Sequence, residues 1–327
     1  MSETWDCVIV GGGAAGLSAA LVLGRARRRT LLVDAGAQSN KAAHGIGGLL
    51  GHDARPPAEL YSAGRAELAA YPSVEIRDGD VISAERGFVV ELADGRHERT
   101  RTVLLATGME YRAPNLPGLQ DLWGRSVFHC PFCHGWEVRD QPLAVVADGE
   151  RAVHSALLLS GWSDDIVVLT NGPATLAAEH HRLLGAAGIA VDERPIAQLA
   201  SYAGDLTGVV FGDGSRMMRA GALVVATLHQ RSALATQLGA AVAPPGPMAA
   251  DALAVDSFQR TSVPGVFAAG DLCAQMPQVA AAVASGSLAG AAVVQGLLGG
   301  DVGLPTPPWP TVAAKDNDYA DASTPTR

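Results

Sequence analysis

Cysteine and basic charge are both scarce in this sequence. Its 327 residues include only four cysteines, which are too few for a disulfide scaffold. The 24 lysines and arginines are outnumbered by 33 aspartates and glutamates, which gives a net charge of −9. An acidic chain without a basic block is poorly suited to binding nucleic acid or an anionic membrane. We therefore expect neither as a partner.

A targeting signal and a membrane span are not expected either. The N-terminus carries Glu3 and Asp6 and runs straight into a strand, which is not typical of a signal peptide. The segment between Asp271 and Asp301 has no charged residue and is long enough to cross a bilayer. It nevertheless contains Pro277, Gln275, Gln278 and several glycines, and its apolar residues are mostly alanine. We interpret it as a buried helix of a cytoplasmic protein.

Glycine, by contrast, is abundant, with 38 residues, and hydrophobic residues make up 48% of the chain. Large buried cores are possible with this composition, so wholesale disorder is not expected. The length of 327 residues corresponds to two domains at about 150 residues each. Many small residues and few aromatics suit a fold whose helices pack close to strands and around a cofactor.

The N-terminus has the pattern of a βαβ unit. Strand Cys7–Val10 is followed by the glycine turn Gly11–Gly16, helix Leu17–Arg28 and strand Thr30–Asp34. The turn matches G-x-G-x-x-G, in which glycines let backbone N–H groups approach a pyrophosphate at the helix N-terminus. The acidic Asp34 can accept hydrogen bonds from a ribose. Together these features predict a dinucleotide site.

A second α/β module interrupts the chain. Its predicted strands are Leu143–Val146 and Asp165–Thr170, with a helix at Arg151–Ser160 between them. Two further apolar strands flank this module. One ends in Ala106-Thr107-Gly108, and the other ends in Ala269-Gly270-Asp271.

The order of these motifs resembles that of flavoprotein reductases with two dinucleotide-binding domains. The resemblance implies an α/β fold of two Rossmann-like domains, with an FAD-binding domain at 1–113 and 243–327 and an NADPH-domain-like module at 114–242. It also implies that Asp271 holds FAD, that the helix beginning near Gln278 points its N-terminus at the flavin, and that the protein is a homodimer. The residues predicted to bind FAD are Gly11, Gly13, Ala14, Ala15, Gly16, Asp34, Ala35, Gln38, Asn40, His44, Val81, Ala106, Thr107, Gly108, Gly270, Asp271, Gln278 and Val279.

The segment His129-Cys130-Pro131-Phe132-Cys133-His134 carries the predicted chemistry. C-x-x-C in a cytosolic protein is typical of a redox dithiol, and a helix N-terminus there would lower a thiolate pKa. Three alternatives stay open. The motif C-x-x-C-H also attaches haem, the two histidines and two cysteines could bind zinc, and the thiols could be inert. No metal site is our expectation.

The position of this dithiol is similar to that in low-molecular-weight thioredoxin reductases, and the resemblance covers roughly Trp5 to Gly299. In that family the second cysteine faces the flavin and the first exchanges with substrate. The resemblance therefore implies that Cys133 contacts FAD and that Cys130 forms the bond to the substrate sulfur.

Two departures from the reductases bear on function. His134 stands where they usually carry an acid, and an imidazole can take a proton from a thiol near pH 7; His129 is a second candidate base. The NADPH fingerprint falls on Ala147–Ala152, which lacks its first glycine and places Asp148 where a pyrophosphate should approach. A divergent but working NADPH site stays possible as the alternative.

This combination resembles the FAD-dependent dithiol oxidases that close disulfides in gliotoxin, holomycin and romidepsin. The leading hypothesis is oxidation of a small-molecule dithiol, with O2 as acceptor and H2O2 as product. The alternatives are a thioredoxin-reductase-like enzyme driven by NADPH or ferredoxin, and a redox-sensing flavoprotein without turnover. The proline-rich stretch Pro305–Arg327 is predicted to be an extended tail.

Overall fold

Two separate parallel β-sheets organise the computed structural model, which describes residues 4–274 and 276–310. The strands are β1 Trp5–Val10, β2 Thr30–Asp34, β3 Val74–Asp78, β4 Val81–Glu85, β5 Val89–Leu92, β6 His97–Leu105, β7 Met109–Arg112, β8 Val127–Phe128, β9 Leu143–Val146, β10 Ile166–Leu169, β11 Ala190–Asp192, β12 Ile196–Tyr202, β13 Asp205–Phe211, β14 Arg216–Met217, β15 Gly221–Val224, β16 Thr227–Gln230 and β17 Val266–Ala268. The helices are α1 Ala14–Arg25, α2 Pro57–Leu68, α3 Leu119–Leu122, α4 Pro131–His134, α5 Gly149–Leu159, α6 Ala178–Ala186, α7 Leu234–Leu238 and α8 Val279–Val302.

The first sheet draws its strands from both ends of the chain. Its parallel order is β3-β2-β1-β6, with β17 beside β6, and the antiparallel pair β4–β5 extends it. β2 and β17 are buried along their whole length, as expected for parallel strands covered on both faces. The carboxyl ends of β1, β2, β6 and β17 therefore meet at one edge, where α/β folds bind ligands.

The second sheet comes from the middle of the chain. It has the parallel order β11-β10-β9-β15-β8, beside a three-stranded antiparallel sheet, β12-β13-β14. The antiparallel pair β7–β16 joins the segments at the two ends of this module. The predicted α/β class is confirmed by this architecture. The boundaries at residues 113 and 243 stay predictions.

Helix α1 differs from its predicted bounds at both ends. It begins at Ala14 rather than Leu17, because the glycine turn leads directly into the first helical turn with Gly13 as its N-cap. It ends at Arg25 rather than Arg28, since Arg27 has a φ of 59°, which a right-handed helix cannot accommodate. Helix α5 likewise begins two residues early, at Gly149.

Helix α8 is long and apolar enough to cross a membrane by length and composition. One of its faces packs on α1 so closely that a Cβ on Gly286 would lie 2.1 Å from the carbonyl oxygen of Ala15. This contact explains the small residues on that face. The prediction of a buried helix is wrong for the opposite face, where Ala284 and Leu288 are exposed.

The predicted tail lies largely outside the described residues, which end at Pro310. Its first part has no helix or strand, but it is anchored. The Trp309 ring packs edge-on against Phe267, with centroids 5.2 Å apart, and its Nε1 donates to the Thr261 carbonyl at 2.7 Å.

Candidate active site

A cavity of about 610 Å³ opens where the carboxyl ends of the first sheet meet helix α4. The residues predicted to bind FAD line it, with the exception of Gly16 and His44. The second module contributes Trp123, Gly124, His129, Cys133 and His134 to the same lining. Cys133 lines the cavity and Cys130 does not, so the two sulfurs face different surroundings.

The glycines of the first turn have three separate roles. Gly11 has a φ of 111°, and a Cβ there would lie 2.2 Å from the Ala106 carbonyl oxygen. A Cβ on Gly16 would lie 1.8 Å from the Gly11 carbonyl oxygen, so Gly16 permits close packing and does not contact the cavity. Gly13 is open, since the nearest atom to an added Cβ is Cγ of Gln38 at 3.8 Å. Only Gly13 leaves room for a ligand at its own position.

Asp34 differs from its predicted role. Its Oδ1 accepts hydrogen bonds from the N–H groups of Gly12 at 3.3 Å and Gly36 at 2.9 Å, and from Nε2 of Gln38 at 3.1 Å. Its Oδ2 pairs with Nη1 of Arg65 at 2.9 Å. A carboxylate offers about four acceptor sites, so the protein itself occupies most of them. Asp34 lines the cavity and orients its walls, but it has little capacity left for a ribose.

The neighbouring Gln38 has an unused acceptor in the cavity lining. Its Nε2 is used by Asp34 and by the Gly12 carbonyl at 3.2 Å, whereas its Oε1 is buried without a hydrogen-bond partner in the cavity lining. A buried acceptor without a donor is costly, and a hydroxyl of a bound ligand would satisfy it. Together with the open Gly13, this orphaned oxygen fits a dinucleotide in the cavity.

A buried acid lies at the end of the cavity close to the dithiol. Tyr111 donates a hydrogen bond to Oδ2 of Asp271 at 2.9 Å, and both residues line the cavity. Burial raises the pKa of Asp271, while Tyr111 and the charge of Arg231 oppose the rise. The Arg231 guanidinium is itself held by the carbonyl oxygens of Met109 and Ala37. Neither Tyr111 nor Arg231 belongs to a motif, so sequence reasoning missed both.

The dithiol lies on the short helix α4, with Cys130 as its N-cap. A hydrogen bond from the Cys133 thiol, together with the backbone N–H groups of Phe132 and Cys133, lowers the pKa of Cys130 against the effect of burial. The same thiol pair, burial and the charge of Asp271 raise the pKa of Cys133. These opposite shifts favour the thiolate at Cys130 over the thiolate at Cys133. The assignment of Cys130 as the exchanging sulfur stays a prediction.

A loop of the first domain holds α4 from the cavity side. A Cβ on Gly47 would lie 2.6 Å from the carbonyl oxygen of Cys133 and 3.2 Å from its Cα. Only a glycine allows the loop to approach the dithiol backbone this closely. No sequence motif singled out Gly47.

His134 is fixed in one tautomer. Its Nε2 lies 3.1 Å from the Gly124 carbonyl oxygen, which can only accept, so Nε2 carries the proton. Its Nδ1 is buried without a hydrogen-bond partner, and its ring stacks on Phe128 with centroids 5.7 Å apart. Burial lowers the pKa of His134, although the Gly124 carbonyl and Glu137 act in the opposite direction. The unprotonated Nδ1 is therefore a basic nitrogen that the protein encloses.

His129, the second candidate base, is held by aromatic rings. Its ring centroid lies 4.5 Å from that of Tyr111 and 5.7 Å from that of Trp123. Burial and the charge of His134 lower the pKa of His129 to about 4. It lines the cavity as a neutral ring at pH 7, and its packing fits a structural role as well as a basic one.

The nucleotide fingerprint of the second module is occupied by acids. Asp148 caps α5, and its carboxylate accepts hydrogen bonds from the Thr175 N–H at 2.9 Å and the Thr175 hydroxyl at 2.7 Å. Burial acts in the other direction, but these hydrogen bonds keep the pKa of Asp148 below its usual value. Glu150 adds a second acid in the first turn of α5. Two negative charges thus occupy the helix end that a pyrophosphate would need.

The basic side chain near the start of α5 is held by the segment that follows β15. Arg151 donates to the Ala226 carbonyl at 2.7 Å and to the Thr227 hydroxyl at 3.3 Å. At the end of β10, Asn171 uses its Oδ1 to accept from the Ile196 N–H at 2.6 Å. Both side chains are therefore already hydrogen-bonded within the protein.

A metal centre finds no support in residues 4–274 and 276–310. Among them, no three His, Cys, Asp or Glu side chains lie close enough together to hold an ion. His129 and His134 instead pack against aromatic rings on either side of the dithiol.

Comparison with known proteins places the chain among disulfide oxidoreductases. The family model described as pyridine nucleotide-disulphide oxidoreductase matches residues 5–286. Thioredoxin reductase tcpT of Claviceps purpurea is 33% identical over 302 residues, covering 88% of this chain and 93% of tcpT. An oxidoreductase structure from Agrobacterium tumefaciens is 37% identical with a TM-score of 0.85, covering 90% of this chain and 99% of its own. The structure of HlmI is 37% identical with a TM-score of 0.87, covering 93% of this chain and 95% of its own. These likenesses confirm the predicted fold of two dinucleotide-binding domains.

Proposed function

We propose that this chain, which belongs to the pyridine nucleotide-disulphide oxidoreductase family and is thioredoxin-reductase-like, is an FAD-dependent dithiol oxidase. Its substrate is a small-molecule dithiol, which it converts to the disulfide while O2 becomes H2O2. The observation that carries the proposal is the pair of acids, Asp148 and Glu150, at the helix end where NADPH would place its pyrophosphate. Because these acids exclude NADPH, the electrons that reduce the flavin come from the substrate through the Cys130–Cys133 dithiol.

The cavity residues have defined tasks toward the cofactor. With FAD bound, the open Gly13 would give the pyrophosphate room near backbone N–H groups, and Oε1 of Gln38 would be an acceptor for a hydroxyl of the cofactor. The α8 helix, with Gln278 as its N-cap, points its positive end into the cavity. FAD held in this cavity would supply the two-electron redox chemistry between the dithiol and O2.

The order of the thiol steps follows from the difference between Cys130 and Cys133 in pKa shift and in position relative to the cavity. His134 is the base that removes the proton of a substrate thiol, and the thiolate attacks Sγ of Cys130 in the enzyme disulfide, which releases Cys133. The second substrate thiol, after losing its proton, attacks the substrate sulfur of the mixed disulfide and releases Cys130. The substrate loses two electrons and two protons, and the enzyme disulfide becomes the dithiol. Cys133 then lies on the cavity side, ready to be reoxidised.

A thioredoxin-reductase-like enzyme driven by NADPH or another reductant is the second candidate. It is favoured by the relative tcpT, which bears the name thioredoxin reductase. The two candidates share the fold, the cavity and the dithiol. They differ in the direction of electron flow, which Asp148 and Glu150 decide.

Oxygen consumption tests the proposal. We expect the FAD-loaded protein to consume O2 in the presence of a dithiol and to release H2O2 in equal amount, with no requirement for NADPH. Reduction of a disulfide by NADPH without consumption of O2 would contradict the proposal and support the reductase. Absence of turnover in both assays would support a redox sensor.

Gly13→Val tests the cavity as the FAD site. Valine meets no protein atom closer than 3.8 Å at its Cβ, and Gly13 has a φ of −80°, so the fold tolerates the change while the side chain fills the ligand position. We expect a folded but colourless protein, measured as the ratio of flavin to protein absorbance. Gly185→Val on α6, where an added Cβ also meets nothing, is the control and should remain yellow. A fully yellow Gly13→Val protein would contradict the assignment.

The expected homodimer, the cytoplasmic location and the lack of nucleic-acid or membrane partners stay predictions.

A further inference from the structure

Two large aromatic side chains are exposed directly beside the dithiol. The side chain of Phe132, between the two cysteines, is 51% exposed, and that of Trp136, three residues after Cys133, is 66% exposed. Aromatic residues make up only 5% of the chain. Exposed apolar rings adjoining a reactive centre are typical of a ligand-binding surface. The mechanism described above does not use either ring.

Both rings are held in place by neighbours. The Phe132 ring meets Trp162 edge-on, with centroids 5.5 Å apart. Trp162 in turn lies against Gly135, where an added Cβ would be 2.9 Å from its ring. The Arg139 guanidinium lies 3.9 Å from the centroid of Trp136 and donates to the Trp136 carbonyl at 2.6 Å. The rings are therefore ordered before a ligand arrives, which lowers the entropy cost of binding.

The dithiol itself limits what can reach it from this side. Cys130, the exchanging sulfur, is only 8% exposed and lies outside the cavity lining. The thiol of a small molecule needs less space than a folded protein to reach such a recessed sulfur. The contact area that these rings can offer also fits a small molecule better than a protein. Three aromatic side chains offer about 150–250 Å² each when fully buried, and Trp162 is already partly covered. A stable protein interface needs about 800 Å² per partner.

We propose that Phe132, Trp136 and Trp162 form an aromatic platform that binds the ring system of a flat, apolar dithiol and presents its thiols to Cys130. This inference rests on the proposed function, because it names the substrate class for the same dithiol. The platform selects substrates by stacking and apolar contact. A polar aliphatic dithiol gains nothing from it.

Two dithiols of similar reactivity test the platform. Benzene-1,2-dimethanethiol carries a ring next to its thiols, and dithiothreitol does not. In Phe132→Ala and Trp136→Ala we expect KM for the aromatic dithiol to rise about 2- to 10-fold for each ring lost, with kcat unchanged. KM for dithiothreitol should stay constant. Trp136→Phe should retain most of the affinity, and Tyr202→Ala, which removes an exposed ring on β12, is the matched control.

A binding assay separates this inference from the proposed function. The cyclic disulfide of benzene-1,2-dimethanethiol should quench tryptophan fluorescence of the wild type under anaerobic conditions, and more weakly that of Trp136→Ala. Such binding without dithiol-dependent consumption of O2 would support the platform and contradict the oxidase. Turnover of both dithiols with KM values that the variants leave unchanged would overturn the platform. If the variants lost only the oxidation of a protein dithiol, such as reduced thioredoxin, the platform would also be overturned, in favour of a protein partner.

Discussion

Serine in place of either Cys130 or Cys133 is expected to reduce dithiol oxidation to the background rate. Each sulfur is one half of the enzyme disulfide, so neither variant can accept electrons from a substrate. Cys273→Ser is the matched control, because that thiol lies outside the cavity lining and contacts the Ala268 carbonyl at 3.5 Å. The rate of each variant is measured as consumption of O2. We expect full loss in the first two variants and a normal rate in the control.

The two cysteine variants should differ in their absorbance. Cys130→Ser leaves the Cys133 sulfur in the cavity, where a thiolate beside oxidised flavin gives a long-wavelength charge-transfer band. Burial and the charge of Asp271 raise the pKa of Cys133, so its thiolate forms only as pH rises above that pKa. We therefore expect the band to grow from neutral to alkaline pH. Cys133→Ser should show no band, and a band in that variant alone would reverse the two roles.

His134→Ala is expected to slow dithiol oxidation at pH 7 by ~10²–10⁴-fold, the usual contribution of a general base. A free thiol with a pKa of about 8.5 is only a few per cent ionised at pH 7, so its proton must be removed. The wild type should keep its rate below pH 6.5, the ordinary pKa of histidine, because burial lowers the pKa of His134 and keeps it neutral. The variant should recover at high pH, where the substrate ionises unaided.

The matched control for His134 is His129→Phe. Phenylalanine preserves the contacts with Tyr111 and Trp123, so a packing role predicts a nearly normal rate. Flavin absorbance should be unchanged in both variants. A wild-type rate for His134→Ala at pH 7 would contradict the assignment, and a large loss in His129→Phe would move the base to that residue.

The features that could be predicted from the sequence are those set by local chain geometry. The turn Gly11–Gly16, strand Thr30–Asp34 and the dithiol helix each depend on residues close together in the chain, so their motifs are readable. The same holds for α8, whose N-cap is Gln278. Local patterns fixed the path of the backbone around the cavity.

The side-chain interactions that the sequence did not predict depend on contacts between residues far apart in the chain. Asp34 has the position of a ribose ligand, but Arg65 of α2 and the side chain of Gln38 occupy its oxygens. Tyr111 acquires its role from Asp271, which is 160 residues away in the chain. The direction of a side chain in such a pair depends on tertiary packing, and no motif encodes it.

Anaerobic mixing tests the direction of electron flow most directly. The FAD-loaded wild type is mixed without oxygen either with NADPH or with a dithiol, and the flavin absorbance is followed. Our account predicts bleaching within seconds by the dithiol, no bleaching by NADPH, and no bleaching of Cys130→Ser by the dithiol. Rapid bleaching by NADPH would contradict it, because Asp148 and Glu150 would then have failed to exclude the nucleotide.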